Sequence, residues 1–194
     1  MSICITGSGS YIPEIIKKNK DFLENTFLNS DGSNFKVSNE VIIKKFQAIT
    51  GIEERRYAKE NLKSSDLASF AAKDAIKNSK IDIETLDYII VAHNFGDVKY
   101  NTKEFDQLPS LAARVKYNLK INNPDCVSYD LIFGCPGWIE GVIQAQAFIK
   151  AGMAKKCLVI GAETLSRTVD TSDRDSMIFS DGAGATIIEK KDDN

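Results

Sequence analysis

The chain is poor in the residues that build metal centres and disulfide frameworks. It has one histidine and four cysteines, Cys4, Cys126, Cys135 and Cys157, none of them in a C-x-x-C pair. Thiols so dispersed, with one imidazole to help them, cannot close a zinc site or a disulfide scaffold, so neither a metal nor a resident cofactor is expected. Long apolar runs are missing too. No window approaches the roughly 20 apolar residues of a membrane span. The opening "MSICITGSGSYIPE" lacks the basic flank and apolar core of a secretory signal. A cytoplasmic protein with no membrane partner is the expectation. Nor is there a surplus of one charge: 25 basic and 27 acidic side chains, interleaved from end to end, leave a net charge of −2. Without a basic stripe to neutralise phosphates, nucleic acid is not an expected partner.

What is present suits a globular α/β unit. Of the 194 residues, 43% are hydrophobic and 27% charged, enough apolar mass for one sizeable core. No repeat, low-complexity tract or linker divides the chain, so one domain, 1–194, is expected. An apolar strand runs from Ser2 to Gly9. A polar, helix-prone region from Ile15 to Ile49 is broken by the turn "NSDGSN". Ser64 and Ser65 can cap a helix whose apolar positions Leu67, Phe70, Ala71, Ala75 and Ile76 recur at helical spacing, and "LDYIIVAH" reads as a buried strand. Residues 94–108 are polar and read as a long loop or insertion. "PSLAARVKYNL" then opens a helix with proline at its first position. The strand "CVSYDLIF", a helix after Cys135, the strand "KCLVIGAE", a polar stretch from Thr164 to Arg174 and a last strand "GATIIEK" complete a layered α/β rhythm.

Two stretches invite a nucleotide reading and fail it. "GSGSYIP" has Ile12 where a dinucleotide fingerprint needs its third glycine, and "SDGAGAT" lacks the lysine and following helix of a phosphate loop. The stretch "DLIFGCPGWIEGVIQAQAFIKAG" is more informative, because Cys135 stands where a strand gives way to a helix. A cysteine is often only a small buried hydrophobe. At a helix N-terminus, however, the dipole and free N–H groups favour negative charge on sulfur and on a developing oxyanion. Pro136 fits the first helical turn. The helix carries Trp138, Ile139, Val142, Ile143, Ala145, Ala147, Phe148 and Ile149 around most of its circumference, the pattern of an internal helix. Spacing alone leaves both readings, nucleophile and inert cysteine, open.

Six ordered stretches then carry a resemblance: "GSGSYIPE", "TGIEERRYA", "PSLAARV", "YDLIFGCPGW", "GAETLSRTVDTSDRD" and "FSDGAGAT". From Ser2 to Glu189 the chain resembles the N-terminal half of β-ketoacyl-acyl carrier protein synthase III, a condensing enzyme of the thiolase superfamily. The resemblance implies one half of a thiolase-like fold: a mixed five-stranded sheet with helices on both faces and a nucleophile helix buried between two halves. It implies that Cys135 accepts an acyl primer as a thioester, which malonyl-acyl carrier protein then attacks with loss of carbon dioxide, in fatty acid or polyketide synthesis. In such enzymes a histidine, an asparagine and an oxyanion glycine come from the second half, which this sequence lacks. His93 matches no catalytic position of the family.

Further roles are implied by position. Arg174 is in register with an arginine that contacts the adenine end of coenzyme A. The family's tryptophan and arginine ahead of "TGI" are replaced by Lys45 and Ile49, so an acyl carrier protein donor is expected over acyl-coenzyme A. Leu108 takes the place of a residue that crosses a homodimer interface to close the partner's acyl pocket, and the dimer pairs the edge strand matching "CVSYDLIF". Three alternatives stand beside this reading: a non-catalytic module acting only by association, a hydroxymethylglutaryl-coenzyme A synthase-like relative, and a starter-loading enzyme of polyketide assembly.

Overall fold

A computed structural model describes residues 2–102 and 104–191. In chain order its elements are β1 (Ser2–Tyr11), β2 (Ile15–Lys18), α1 (Asn39–Thr50), β3 (Glu54–Tyr57), α2 (Ser64–Ser79), β4 (Tyr88–His93), β5 (Asp97–Val98), β6 (Phe105–Asp106), α3 (Leu111–Asn118), β7 (Val127–Ile132), α4 (Gly137–Lys150), β8 (Lys156–Glu163) and β9 (Gly182–Lys191). The two continuous apolar runs fix the centre. Ile89, Ile90 and Val91 of β4 and the run from Cys157 to Ile160 of β8 are fully buried, as strands covered on both faces must be. The sheet order is β1-β9-β8-β4-β7. β4 runs parallel to β7 and β8, while β9 is antiparallel to β8 and β1, so the five-stranded sheet is mixed.

Each sheet face has its own core. On one, Ala68, Ala71, Ala72 and Ala75 of α2 and Leu111, Ala112 and Val115 of α3 pack with Ile89, Val91, Leu158, Ile160 and Ile187. On the other, Ala145 and Ile149 of α4 meet Ile90, Val159 and Ile188. Each of the larger aliphatic side chains stabilises the fold by about 1.5–3 kcal/mol through burial. A third cluster, Phe22, Phe27, Ile42, Ile43, Phe46 and Met177, lies under α1. Arg55 is buried against it, donating to the carbonyls of Met177 and Lys17 and to Asn19 Oδ1, with its guanidinium 4.9 Å from the Phe22 ring centre. Burial depresses its pKa.

The structure corrects several sequence expectations. The first part of the helix-prone region is instead the strand β2 and a short 3-10 turn over Asn19–Phe22. The cause is distant: β2 pairs antiparallel with β3, so Ile15 and Ile16 satisfy a ladder that local patterning does not reveal. Pro109 is not the first residue of α3 but precedes its cap, where Ser110 Oγ accepts from the Ala113 N–H. Residues 94–108 are not featureless, because β5 and β6 pair as a small hairpin. Cys4 is exposed although its strand reads as apolar, since β1 is an edge strand, and its neighbour Ile5 is exposed as well. Among the described residues no helix is long and apolar enough to cross a membrane.

Candidate active site

A tight turn presents Cys135. Gly134 sits at φ +73°, a backbone conformation open to glycine and strained for other residues, and its carbonyl accepts from the Gly137 N–H at 3.0 Å. Pro136 is the cap of α4 rather than a residue of its first turn, which corrects the sequence reading by one position. The Cys135 thiol therefore stands just ahead of the helix, exposed. It opens on a cleft of about 390 Å³ at the C-terminal ends of β4 and β8. Ala92, His93 and Asn94 wall one side, Gly161 to Glu163 another, and Ser180 to Gly184 and Trp138 close it. In α/β sheets such strand ends are where ligands bind. First-turn N–H groups of a helix lack intrahelical partners, and α4 begins at this cleft, with Gly134, Cys135 and Trp138 on its lining.

α4 reaches the sheet through a stripe of small residues. A Cβ on Gly141 would lie 2.7 Å from Val159 Cγ1, and one on Gly137 would lie 2.8 Å from the Ala92 Cβ. With Ala145 one turn further on, these residues bring the helix backbone close to β4 and β8 and so bring Cys135 to the strand ends. The all-round apolar pattern predicts full burial, but only this stripe and Ile149 are buried. Ile139 and Ile143, on the far side, are 56% and 54% exposed.

His93 lines the cleft yet offers it no free nitrogen. Its Nδ1 accepts from the Gly96 N–H at 3.0 Å, so the ring carries its proton on Nε2 and donates to Asp130 Oδ2 at 2.9 Å. Asp130 in turn accepts from the N–H groups of Leu111 and Ala112, anchoring the start of α3. His93 is thus a positioning residue. Glu163 Oε2 accepts from both the backbone N–H and the side-chain amide of Asn94, tying the ends of β4 and β8 together across the cleft.

Asp181 joins three of the sequence motifs. Its carboxylate accepts from the Ala58 N–H, the Ser166 N–H and the Ser166 hydroxyl at 2.7–2.9 Å. Read from sequence, "SDGAG" signals a turn with small residues for close packing; in space Asp181 clamps "TGIEERRYA" and "GAETLSR" beside the cysteine.

The other sequence candidates lie apart from Cys135. Arg174 borders a separate cleft of about 640 Å³, with its guanidinium 5.3 Å from the Phe35 ring centre. Lys45 and Ile49, the positions aligned with the family's adenine-binding pair, do not line that cleft, and Ile49 is 85% exposed on α1. The aromatic ring beside Arg174 on that cleft is Phe35. It escapes sequence reading because it stands in an irregular stretch with no periodicity. Leu108 is 84% exposed and touches neither cleft. Two further thiols are set apart by chemistry as well as place: burial raises the pKa of Cys126, and pushes that of Cys157 up to about 12.

Comparison with known proteins decides the family. Residues 129–194 match 3-oxoacyl-(acyl-carrier-protein) synthase III. A β-ketoacyl-(acyl-carrier-protein) synthase III of Neisseria gonorrhoeae is 39% identical over 189 residues, 97% of this chain and 52% of that protein. The chain belongs to the β-ketoacyl-acyl carrier protein synthase III family. A synthase III of Vibrio vulnificus is 40% identical over 95% of this chain and 51% of its own length. The crystal structure of the Aquifex aeolicus family member superposes with a TM-score of 0.77 at 34% identity, covering 99% of this chain and 55% of that one. The chain spans about half the length of the curated relatives it matches. Family and thiolase-like α/β fold agree with the sequence expectation.

Proposed function

We propose that this chain carries the acyl-loading half of a decarboxylating condensation in fatty acid or polyketide synthesis. The observation that carries the reading is the exposed Cys135 thiol, held ahead of α4 at the mouth of a cleft between strand ends. The Cys135 thiol gives up its proton and attacks the carbonyl of an incoming acyl thioester; the new C–S bond forms on Cys135, the donor's C–S bond breaks, and the donor leaves as a thiol carrying that proton. A malonyl group on acyl carrier protein then loses carbon dioxide, and the resulting carbanion attacks the Cys135 thioester, forming a C–C bond and releasing the Cys135 sulfur. Because both ring nitrogens of His93 are committed, the imidazole that assists decarboxylation has to come from another segment of the parent protein. Asp170, Asp173 and Asp175 surround Arg174, and their carboxylates oppose the phosphates of coenzyme A. Lys45 and Ile49, standing in place of the family's adenine-binding tryptophan and arginine, favour an acyl group delivered on a carrier protein.

The whole protein, incubated with acyl donor and malonyl-acyl carrier protein, is expected to release carbon dioxide and a β-ketoacyl product. Carbon dioxide release without a longer acyl product would contradict the condensing reading. A homodimer belongs to the same proposal. β7 is an edge strand with Val127 and Ile132 exposed, the arrangement that invites strand pairing between copies. Sedimentation is expected to show a dimer, weakened by a proline replacing a β7 residue whose N–H faces outward, and a clean monomer at high concentration would refute it.

A further inference from the structure

Most polar side chains on the lining of the Cys135 cleft are already engaged. Both His93 nitrogens are bonded, and the Asp181 carboxylate accepts from the Ala58 N–H and from Ser166. Ser180 Oγ accepts from the Arg56 N–H and donates to the Arg56 carbonyl. Glu163 uses Oε2 for the two Asn94 donors and Oε1 for the Thr164 N–H at 3.2 Å. Asn94 Oδ1 is different: it accepts from no group among the described residues.

The direction of that oxygen is imposed from behind. A carboxylate offers only acceptors, so Glu163 holds the NH2 end of the Asn94 amide, at 2.9 Å, and the carbonyl end turns the other way. It turns toward the loop that carries the thiol. A Cβ built on Gly134 would lie 3.6 Å from Asn94 Oδ1, and Cys135 is the next residue. Asn94, Gly134, Cys135 and Glu163 line one and the same cleft. The site therefore presents an oriented acceptor, and not a donor, beside the turn of the nucleophile. An acceptor calls for an N–H on the incoming molecule. In thioesters of acyl carrier protein and of coenzyme A alike, the first polar group beyond the sulfur is an amide N–H, two carbons away. A thioester whose carbonyl reaches Cys135 brings that N–H into the same cleft, where a donor stripped of water and left unpaired opposes binding.

We propose that Asn94 reads the arm of the acyl donor: its Oδ1 accepts from the amide N–H nearest the thioester sulfur, and Glu163 is the positioning residue that keeps the carbonyl end of the Asn94 amide facing it. This rests on the acyl-loading reading above. Butanoyl thioesters of N-acetylcysteamine and of 2-mercaptoethyl acetate differ by an ester oxygen in place of that N–H. Each is offered to the whole protein, butanoyl mass on the Cys135 peptide is followed with time, and the rate is divided by that of the same donor with free cysteine. The amide is expected to load about tenfold faster than the ester, since a site built for a hydrogen bond rejects an analogue that lacks the donor. In Asn94→Ala, which keeps the backbone bond to Glu163, the preference is expected to fall to about twofold or less. In Glu163→Ala it is expected to fall to about threefold, because the Asn94 amide is then free to offer either end. A role in folding alone would slow both donors alike and leave the ratio where it was. Equal loading of the two donors by the wild-type protein, or a preference that Asn94→Ala leaves unchanged, overturns the proposal; a preference untouched by Glu163→Ala overturns the positioning role.

A second arm needs no acyl transfer. S-butyl-N-acetylcysteamine and its ester counterpart are thioethers that cannot acylate a thiol. Ligand-detected NMR on the Cys135→Ala protein is expected to show the amide bound about tenfold more tightly than the ester, with the difference lost on adding Asn94→Ala. Equal binding of the two thioethers overturns the proposal. An amide preference that depends on Asn94, in a protein whose Cys135 accepts an acyl group from neither donor, would sink the acyl-loading reading and leave the amide contact standing.

Discussion

Asp181→Ala is expected to lower the midpoint of thermal unfolding by roughly 10 °C. The carboxylate is buried, and its removal strands the Ala58 N–H in a buried position and the Ser166 N–H and hydroxyl in a partly buried one. An orphaned buried donor costs about 1–3 kcal/mol, so about 3 kcal/mol in all is a conservative sum once water rescues part of the Ser166 site. For a chain of this size each kcal/mol shifts the midpoint by roughly 2–4 °C. Asp181→Asn keeps one acceptor oxygen and is expected to lose about half as much. Circular dichroism during heating reads both variants. A midpoint within about 2 °C of wild type for the alanine variant would show that the three motifs do not depend on this carboxylate for their convergence.

The same residue shows where sequence reading stops. The central strands are legible because "YIIVAH" and "KCLVIGAE" are apolar runs bounded by polar turns, and burial on both faces leaves no other place for them. Cys135 is legible as the start of a helix, since glycine and proline flank it and the apolar run follows. Asp181 is not, because a carboxylate in a "DG" pair signals a turn locally and its three partners lie 15 to 123 residues away. β2 is hidden for the same reason: its ladder partner follows it only after α1.

From sequence, the helix after Cys135 is harder to orient than to find. Apolar residues on most of its circumference give periodicity no preferred face, and the packing face is told instead by the small residues Gly137, Gly141 and Ala145 recurring every fourth position. That stripe is visible in "GWIEGVIQA" once close approach, rather than hydrophobicity, is the signal sought. Phe35 and the β5–β6 hairpin have no such signal. Their stretches are irregular or polar, and their places depend on Arg174 and on Asp97, Asp106 and Arg114 meeting in space.

The largest effect is expected at the thiol. Replacing Cys135 by alanine removes the atom on which the proposed acyl thioester forms, and loss of a covalent nucleophile lowers rates by a factor on the order of 10⁴ or more. Alanine keeps the backbone turn at Gly134 and the cap at Pro136, so the fold is expected to persist while acyl loading disappears. Cys126 and Cys157 do not compete, because burial both hides them and raises their pKa. Cys4 is the internal control, exposed on an edge strand and lining none of the clefts described above. Peptide mass mapping of the wild-type chain after brief exposure to an acyl thioester therefore tests the central claim most directly. Acyl mass confined to the Cys135 peptide, and absent from the alanine variant, is the predicted result; acyl mass shared equally with the Cys4 peptide would contradict it.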